Sequence, residues 1–453
     1  MTQHPGLARR TVLGAGLIGT AVGAGTMSAG AAPIPAASGL DAGSFGLAPG
    51  RAEDQTAALQ RALAAAAQDG RALQLGPGRY RVGGVSLPAG TRLVGSPSTR
   101  LVQASGRPVL AAKGGGRIVL QGFVVEGDRQ AARTVPLLLL EDVADLQVSG
   151  LQLEATTGTA LRLERCGGAV EENRIARADI AVFSLDATGL AVRANVIEQC
   201  ANNGIQVWRS TKGYDGTQIL ANRIAGIRTV SGGSGENGNG INIFRAGNVL
   251  AANNTIRDCA FSAVRNNAGD DVQILGNSCA DLGEVALFAE FGFEGCVIAN
   301  NLVDKASIGI SITNFNENGR LAVASGNILR NLFRRPDALS GIVGQGVGIA
   351  VEADAAVTGN VIEAAAFAGI SIGYGPHLRD VACTGNVVRQ SGIGVAVSVA
   401  PGVGAAQIAN NLFSRCAGGN VVGYAWDKAA TSDLAKGGAE RFAHLSIVNN
   451  TLR

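Results

Sequence analysis

An asparagine recurs along this chain in a fixed setting, and this repeat restricts the possible fold more than any other feature. A small or β-branched apolar residue stands three positions before each asparagine, and a second apolar residue stands two positions after it. The shortest spacing is 22 residues, from Asn173 to Asn195, and the longest is 39, from Asn411 to Asn450. A repeat of this length is typical of stacked architectures in which each unit contacts only its neighbours. The eleven asparagines are Asn173, Asn195, Asn222, Asn254, Asn277, Asn301, Asn327, Asn360, Asn386, Asn411 and Asn450.

The residues around each asparagine predict one coil of a parallel β-helix. The residue directly before it is often Gly or Asn, which enter the left-handed backbone region at low cost. A Gly-Ile-x-Ile-like strand follows in most repeats, as at residues 204–207 and 369–372. Stacked asparagines would lie about 4.8 Å apart, so their side-chain amides can bond from coil to coil. Two earlier repeats place Phe123 and Leu151 in the asparagine position, which gives about 13 coils in an all-β solenoid over residues 111–453.

The composition restricts the partners and the role of the cysteines. Without residues 1–37, Lys and Arg number 36 (38 minus Arg9 and Arg10) against 35 Asp and Glu, so the net charge falls from +3 to +1. This balance gives no electrostatic reason to expect nucleic acid or an anionic membrane as a partner. The seven cysteines occupy repeat positions at the coil interior or its edge and include no CxxC pair. We expect them to be small buried hydrophobic residues, not disulfides or metal ligands.

The first 37 residues predict an export signal. Arg9 and Arg10 precede a stretch rich in Gly and Ala that carries no charge until Asp41. This stretch resembles a twin-arginine translocation signal. Its Gly content makes a membrane-spanning helix the less favourable alternative. The resemblance implies export in the folded state by the twin-arginine machinery, to the periplasm or out of the cell, with no membrane span after the signal is removed.

A short helix is predicted before the repeats. Asp54 is placed to cap it, residues 54–63 carry the helical pattern, and an Asp-Gly pair at residues 69–70 ends the helix. The apolar stripe of this helix consists of Ala58, Leu59, Ala62 and Leu63. We expect the helix to cover the open hydrophobic end of the solenoid, within an N-terminal region of residues 38–110.

Two further patterns follow this helix, L-G-P-G-R-Y at residues 75–80 and L-P-x-G-T-R-L-x-G at residues 87–95. Together with the D-x-T-x-A-L-Q-x-A helix, they resemble the opening of pectate-lyase-like, right-handed parallel β-helix proteins. That superfamily includes tailspike-type and polysaccharide-degrading members, and the resemblance covers about residues 40–453. With the export signal, the chain is most similar to an uncharacterised family of twin-arginine-translocated repeat proteins. The resemblance implies the right-handed fold and export, and it implies chemistry only weakly because a fold does not fix a function.

The active-site motifs of polysaccharide-degrading members are mostly missing. Pectate lyases carry Arg-x-Pro-x-x-Arg, and the nearest match, at residues 334–337, lacks the second arginine. Polygalacturonases carry paired aspartates and Gly-His-Gly; Asp270 and Asp271 are similar to the first, but none of the three histidines has that setting. We favour a solvated turn for this acid pair over a catalytic pair. The glycine-rich residues 232–237 are interpreted as a loop, no cofactor is expected, and a calcium requirement stays open.

Polar and aromatic residues recur just past the Gly-Ile-x-Ile strands and are predicted to form one row on the outer face. Such a row suits sugars, because rings stack on apolar sugar faces while amides and charges bind hydroxyl groups. Two insertions, at residues 226–239 and 333–347, are predicted to flank the row. The alternative is the ordinary polar outer face of a solenoid. The predicted substrate-binding residues are Trp208, Arg209, Asn242, Phe244, Asn266, Asn267, Asn314 and Tyr374.

Three charged residues near this row are the candidates for catalysis. Glu290 lies among phenylalanines whose desolvation would raise its pKa, so it is the predicted acid or base. Arg245 is the predicted partner for a substrate uronate or a developing oxyanion. Glu352 lies two coils beyond Glu290, roughly 10 Å away at about 4.8 Å per coil, which is nearer the inverting than the retaining separation of carboxylates. A polysaccharide lyase or glycoside hydrolase and a non-catalytic glycan-binding or structural envelope protein both stay open.

Overall fold

Three sheets extend through the protein, and each coil adds one short strand to each of them. The structure is a computed structural model that describes residues 39–129, 131–233, 235–335 and 345–453. Residues Gly39–Arg453 form one compact unit. The predicted export signal over residues 1–37 lies outside the described residues. No helix among the described residues is long and apolar enough to cross a membrane.

In every coil the chain passes from a strand of sheet A to one of sheet B and then to one of sheet C, with 16, 15 and 15 strands in the three sheets. Sheet A consists of Leu40–Asp41, Leu73–Gln74, Arg92–Val94, Arg117–Gln121, Asp145–Ser149, Gly168–Glu171, Leu190–Arg193, Gln218–Leu220, Leu250–Ala252, Val272–Leu275, Glu294–Ala299, Arg320–Ser325, Ala353–Thr358, Arg379–Thr384, Ala406–Ala409 and Leu445–Val448. Sheet B consists of Gly78–Val82, Thr99–Gln103, Val124–Glu126, Gln152–Glu154, Arg174–Ala176, Val196–Cys200, Arg223–Ile227, Thr255–Cys259, Ser278–Leu282, Leu302–Asp304, Ile328–Leu332, Val361–Ala365, Val387–Arg389, Leu412–Ser414 and Thr451–Leu452. Sheet C consists of Val85–Ser86, Leu110–Lys113, Leu138–Glu141, Leu161–Glu164, Ile180–Leu185, Asn203–Tyr214, Asn239–Gly247, Val264–Asn267, Val285–Glu290, Ile308–Thr313, Val347–Val351, Ala368–Ile372, Ile393–Ser398, Val421–Ala425 and Lys428–Asp433.

The strand pairings are parallel until the last strand of sheet C. There, Lys428–Asp433 turns back and pairs antiparallel with Val421–Ala425. The predicted all-β parallel solenoid of about 13 turns is therefore confirmed. Val, Ile, Leu and Ala side chains from all three sheets fill one continuous core, as expected for sheets that are buried on their inner face.

The repeated asparagines form a hydrogen-bonded ladder at the corner between sheets A and B. In Asn301, the backbone N–H and Nδ2 both donate to Oδ1 of Asn327 at 3.0 Å. Nδ2 of Asn301 also donates to the carbonyl of Ile274 at 2.9 Å. The residue before it, Asn300, has a φ of 57°. The predicted left-handed corner and the coil-to-coil amide bonds are confirmed, and both degenerate anchors, Phe123 and Leu151, are buried in the same column.

The cysteines lie where the repeat predicts them. All seven are free; six are buried, and only Cys416 is half-buried. Desolvation raises the pKa of the Cys200 and Cys279 thiols to about 12. These cysteines therefore behave as small apolar side chains, which confirms the prediction for the buried six.

An α-helix, Thr56–Gln68, packs against the first coils, as predicted for a cap. Its N-cap residue is Gln55 and not the predicted Asp54, although Oδ1 of Asp54 accepts a hydrogen bond from the backbone N–H of Thr56 at 2.8 Å. The helix ends at Gln68, directly before the predicted Asp69-Gly70 end, and its alanines favour helix up to that point. The buried stripe is Leu59, Ala62, Leu63 and Ala66. Two short 3-10 helices cover Ala42–Phe45 and Ala439–Arg441.

Candidate functional site

The outer surface of sheet C carries the candidate site. Ile205 and Val207 of this sheet belong to the core, so the alternate residues Gln206 and Trp208 lie on the outer side. Strand register then aligns two outward columns along the stack. The first column runs through Gln206, Asn242, Arg265, Phe288 and Ser311. The second runs through Trp208, Phe244, Asn267, Glu290 and Thr313, so much of the row predicted from the sequence lies in one line.

A cavity of about 300 Å³ opens between these columns. It contains four of the eight predicted binding residues, together with residues that the sequence did not indicate. Its lining residues are Trp208, Gly235, Glu236, Asn242, Phe244, Arg265, Asn267 and Phe291. Residues 235 and 236 belong to the first predicted insertion, which therefore flanks the row as expected. The second insertion lies partly outside the described residues, between residues 336 and 344.

Aromatic rings form a continuous ridge at this cavity. The centroids of Phe183 and Trp208 are 5.5 Å apart with the rings edge to face, and Trp208 and Phe244 are 5.4 Å apart. Nε1 of Trp208 donates a hydrogen bond to Oδ1 of Asn242 at 3.2 Å. The guanidinium of the exposed Arg245 lies 4.7 Å from the centroid of the Phe244 ring. These contacts hold the rings in place, so the ridge offers a preformed apolar surface.

A buried ion pair lies beside the ridge. Arg265 donates from Nε to Oε1 of Glu290 at 2.7 Å and from an Nη to Oε2 at 2.8 Å. Oε1 of Glu290 also accepts a hydrogen bond from Nδ2 of Asn267 at 2.8 Å. The two charged side chains are only 10% and 4% exposed, and the guanidinium lies over the ring of Phe288. Glu290 thus supports Arg265 and Asn267, which line the cavity, with a bidentate charge-assisted contact.

Arg265 is the functional candidate that the sequence analysis missed. A signal was available, because Arg265 continues the outward column of Gln206 and Asn242. Its importance depends on a diagonal contact, since the residue directly beside Arg265 on the next strand is Phe288 and not Glu290. That contact cannot be identified from strand register alone.

A second cavity, of about 230 Å³, lies further along the same face. Glu352 and Tyr374 line it, together with Thr313. Burial raises the pKa of the Glu352 carboxyl, and its Oε2 accepts a hydrogen bond from the backbone N–H of Phe315 at 3.0 Å. The register places Glu352 two coils beyond Glu290, as predicted. The two carboxyl groups therefore belong to different surroundings, one ion-paired and one desolvated.

The remaining predicted residues hold the local backbone. Asn266 is fully buried, and its side chain exchanges two hydrogen bonds of 3.0 Å with the backbone of Gly269. Asn314 bonds in the same way with the backbone of Ala353. Arg209 donates to the backbone carbonyl of Thr211, in the extension after Trp208, and to that of Ala187, in the preceding coil. None of these three side chains lines either cavity.

The acid pair considered from the sequence is also occupied by local contacts. Oδ1 of Asp270 lies 2.8 Å from Nζ of Lys212 and accepts a hydrogen bond from the backbone N–H of Glu294. Asp271 has a φ of 52°, as suits a corner residue. Among the described residues, no group of three His, Cys, Asp or Glu side chains is placed to hold a metal ion.

Comparison with known proteins gives the handedness of the solenoid. Residues 159–323 match the profile of a family described as "Right handed beta helix region". This segment includes the strands of sheet C from Leu161–Glu164 to Ile308–Thr313, and so the first cavity. The protein is therefore a right-handed parallel β-helix. No curated protein matches this chain.

Solved structures with a similar fold have very different sequences. The N-terminal fragment of bacteriophage phi29 gene product 12 superposes with a TM-score of 0.50 and 12% identity, over 86% of this chain and 71% of that chain. The pre-mature form of the same phage protein gives 0.51 and 13%, over 85% and 55%. The catalytic unit of a GH87 alpha-1,3-glucanase from Streptomyces thermodiastaticus gives 0.49 and 15%, over 94% and 70%. At these identities the similarity shows the fold alone.

Proposed function

We propose that this protein binds a polysaccharide along the outer face of sheet C. The observation that carries the proposal is the first cavity, where the Trp208 and Phe244 rings adjoin the donors of the buried Arg265 and the half-buried Asn267. A sugar presents an apolar C–H face and a rim of hydroxyl groups. The rings can stack on the C–H face, and the guanidinium and amide can donate hydrogen bonds to the hydroxyl groups.

The charges at the cavity favour an uncharged sugar. Glu290 neutralises Arg265, so these two side chains offer hydrogen-bond donors without a net charge. Arg245 contributes a positive charge at the flank, over the ring of Phe244, and Glu236 in the lining contributes a negative charge. An anionic polysaccharide would gain from Arg245, and a neutral one would gain from the paired donors. The paired donors are more buried than Arg245. Buried hydrogen bonds contribute more to recognition than exposed charges do.

Cleavage of the bound chain is a second candidate function, and Glu352 is the residue that favours it. A carboxyl group with a raised pKa keeps its proton to a higher pH than an ordinary glutamate does, which favours a general acid. Glu290, by contrast, has both oxygens bonded to Arg265 and is better placed to position that residue. We therefore assign any proton transfer to Glu352, and Glu290 becomes a positioning residue.

Binding is tested by calorimetry with dextran, laminarin, alginate and polygalacturonate. Trp208→Ala and Phe244→Ala should each weaken binding of the polymer that the parent protein binds, by about 1–3 kcal/mol, because each loses stacking area. Ile328→Ala is the control, since Ile328 is 48% exposed but lies on sheet B. Equal affinities of all three variants would place the binding surface elsewhere, and no binding to any polymer would favour a structural role.

Cleavage is tested on the same polymers by the release of new chain ends. If the parent protein cleaves one of them, Glu352→Gln should lose about 10²-fold or more in turnover while it still binds. A parent protein that binds without turnover is a pure binding protein. Turnover that survives in Glu352→Gln but is lost in Glu290→Gln, at unchanged affinity, would return the catalytic role to Glu290.

A further inference from the structure

Both tryptophans of this chain lie on the sheet C side of the solenoid. The sequence has only two, Trp208 and Trp426. Trp208 lines the first cavity, whereas Trp426 lies in the tight turn between the strands Val421–Ala425 and Lys428–Asp433. The first cavity does not account for the position of Trp426.

Trp426 and Tyr374 form a second aromatic surface. Their ring centroids are 5.3 Å apart with an interplanar angle of 86°. The two side chains are 51% and 37% exposed, so both rings present area to a ligand. Oη of Tyr374 donates a hydrogen bond to Oδ1 of Asp427 at 2.9 Å, which fixes the tyrosine ring against the turn.

Backbone packing and hydrogen bonds around Tyr374 and Trp426 fix the positions of these two side chains. Gly375 has a φ of 54°, and a Cβ at this position would lie 2.5 Å from Cζ3 of Trp426, so the indole packs directly on the glycine. The carboxylate of Asp433 accepts hydrogen bonds from the backbone N–H groups of Asn420 and Val421, both at 3.1 Å. These bonds join the start of the first hairpin strand to the end of the second. The exposed rings are therefore held in position before any ligand arrives, which lowers the entropy cost of binding.

The two aromatic surfaces lie on the same side of the solenoid, and Tyr374 follows a strand six coils beyond that of Trp208. The coil-to-coil pairs that connect them are Trp208–Phe244, Phe244–Asn267, Asn267–Glu290, Glu290–Thr313, Ile312–Val351 and Val351–Ile372. Six steps of about 4.8 Å amount to roughly 30 Å. Tyr374 follows the last of these strands, and it also lines the second cavity, with Ser371 and Glu352. Hydroxyl and carboxyl groups thus occupy the face between the two aromatic surfaces.

We propose that Tyr374 and Trp426 form a second sugar-binding site, and that the ligand is a linear polysaccharide long enough to occupy both sites at once. This inference rests on the proposed function, because it assigns the chain length of the same ligand. A chain held at two points separated by roughly 30 Å gains affinity over a fragment held at one, since the second contact is made within the complex.

The test compares each polymer with its own trimer in titrations of intrinsic fluorescence. Dextran, laminarin, alginate and polygalacturonate are the probes. Trp208→Phe leaves Trp426 as the sole indole, and Trp426→Phe leaves Trp208. The bound polymer should change the emission of both variants. Trp426→Ala, measured by calorimetry, should weaken binding of the polymer by at least about ten-fold and leave the affinity of the first site for the trimer unchanged.

Two further variants separate the second site from the first and control for unspecific effects of a substitution. Tyr374→Ala should reproduce the loss without altering the hairpin strands, and Ile328→Ala on sheet B should change nothing. Polymer binding that is lost in Trp208→Ala but unchanged in both Trp426→Ala and Tyr374→Ala would overturn the second site while the proposed function stands. A parent protein that binds none of the four polymers would overturn both proposals.

Discussion

At the scale of single residues, environment separates two carboxyl groups that look alike in the sequence. Glu290 is the last residue of a sheet C strand, and Glu352 directly follows another. From the sequence, both are candidate acids or bases. In the structure Glu290 is held by Arg265 and Asn267, whereas the half-buried Glu352 carboxylate accepts from the backbone N–H of Phe315 and has no arginine partner of this kind. The first can position hydrogen-bond donors, and the second can carry a proton.

The raised pKa of Glu352 gives a prediction about stability and pH. A carboxyl whose folded pKa lies above its ordinary value of 4.5 favours the folded state when protonated, and this contribution is lost as pH rises through the folded pKa. Glu352→Gln removes the penalty of burying the charge. Its unfolding free energy relative to the parent protein should therefore increase between about pH 4 and about pH 7.

Urea denaturation at the two pH values measures this difference. The control is Glu317→Gln, because Glu317 is exposed in the neighbouring segment. A difference between Glu352→Gln and the parent that is the same at both pH values, or that equals the effect at Glu317, would contradict the assignment of a buried, desolvated carboxyl at position 352.

At the scale of structural elements, the asparagine ladder is what joins one coil to the next at the corner of sheets A and B. Each asparagine from Asn195 to Asn411 accepts two hydrogen bonds from the asparagine before it in the ladder and donates two to the one after it, as Asn301 does between Asn277 and Asn327. The side chains are buried, so each lost partner leaves polar groups without water. The ladder is therefore both a connection and a constraint on register.

Asn301→Ala should lower the unfolding free energy by about 1–3 kcal/mol, because Asn277 and Asn327 lose buried hydrogen-bond partners. The matched control is Asn316→Ala, since Asn316 is exposed and outside the ladder, and its effect should stay within about 0.5 kcal/mol. Denaturant unfolding of the two variants measures both quantities. Equal losses at the two positions would show that the ladder does not stabilise the solenoid.

The repeat explains which parts of the structure could be predicted from the sequence. The anchor pattern recurs eleven times along the chain. The left-handed corner, the ladder and the row through Trp208 and Phe244 therefore follow from local pattern and strand period. Arg265 and Trp426 do not follow from it. The role of Arg265 depends on a diagonal contact with Glu290, and Trp426 lies in a hairpin that departs from the repeat. Contacts made once, between segments without a shared pattern, carry no periodic signal.

At the scale of the whole molecule, stacking closes one continuous core from the N-terminal helix to the last coil. Such a solenoid is stabilised mainly by contacts between neighbouring coils. A core of this kind has to form in register before transport, which is consistent with a signal that exports folded proteins. Export by the twin-arginine route to the periplasm or beyond stays a prediction, because Arg9 and Arg10 lie outside the described residues.

The closed core predicts the reactivity of the thiols. Six cysteines are buried, and only Cys416 is half-buried. Native protein should therefore react with a thiol reagent first and slowly at Cys416, while all seven cysteines react after denaturation without reductant. Cys416→Ser should abolish the native reaction. Rapid native labelling of several thiols, or fewer than seven in the denatured protein, would mean that the coils open or that a disulfide exists.

The central claim is that sugars bind on the outer face of sheet C, and a crystal structure of the protein with a bound oligosaccharide tests it most directly. The oligosaccharide is prepared from whichever of the four polymers the protein binds. We expect sugar density stacked on Trp208 and Phe244, with hydroxyl groups within hydrogen-bond distance of Arg265 and Asn267. Density confined to the outer faces of sheets A or B, with the Trp208 cavity empty, would contradict it.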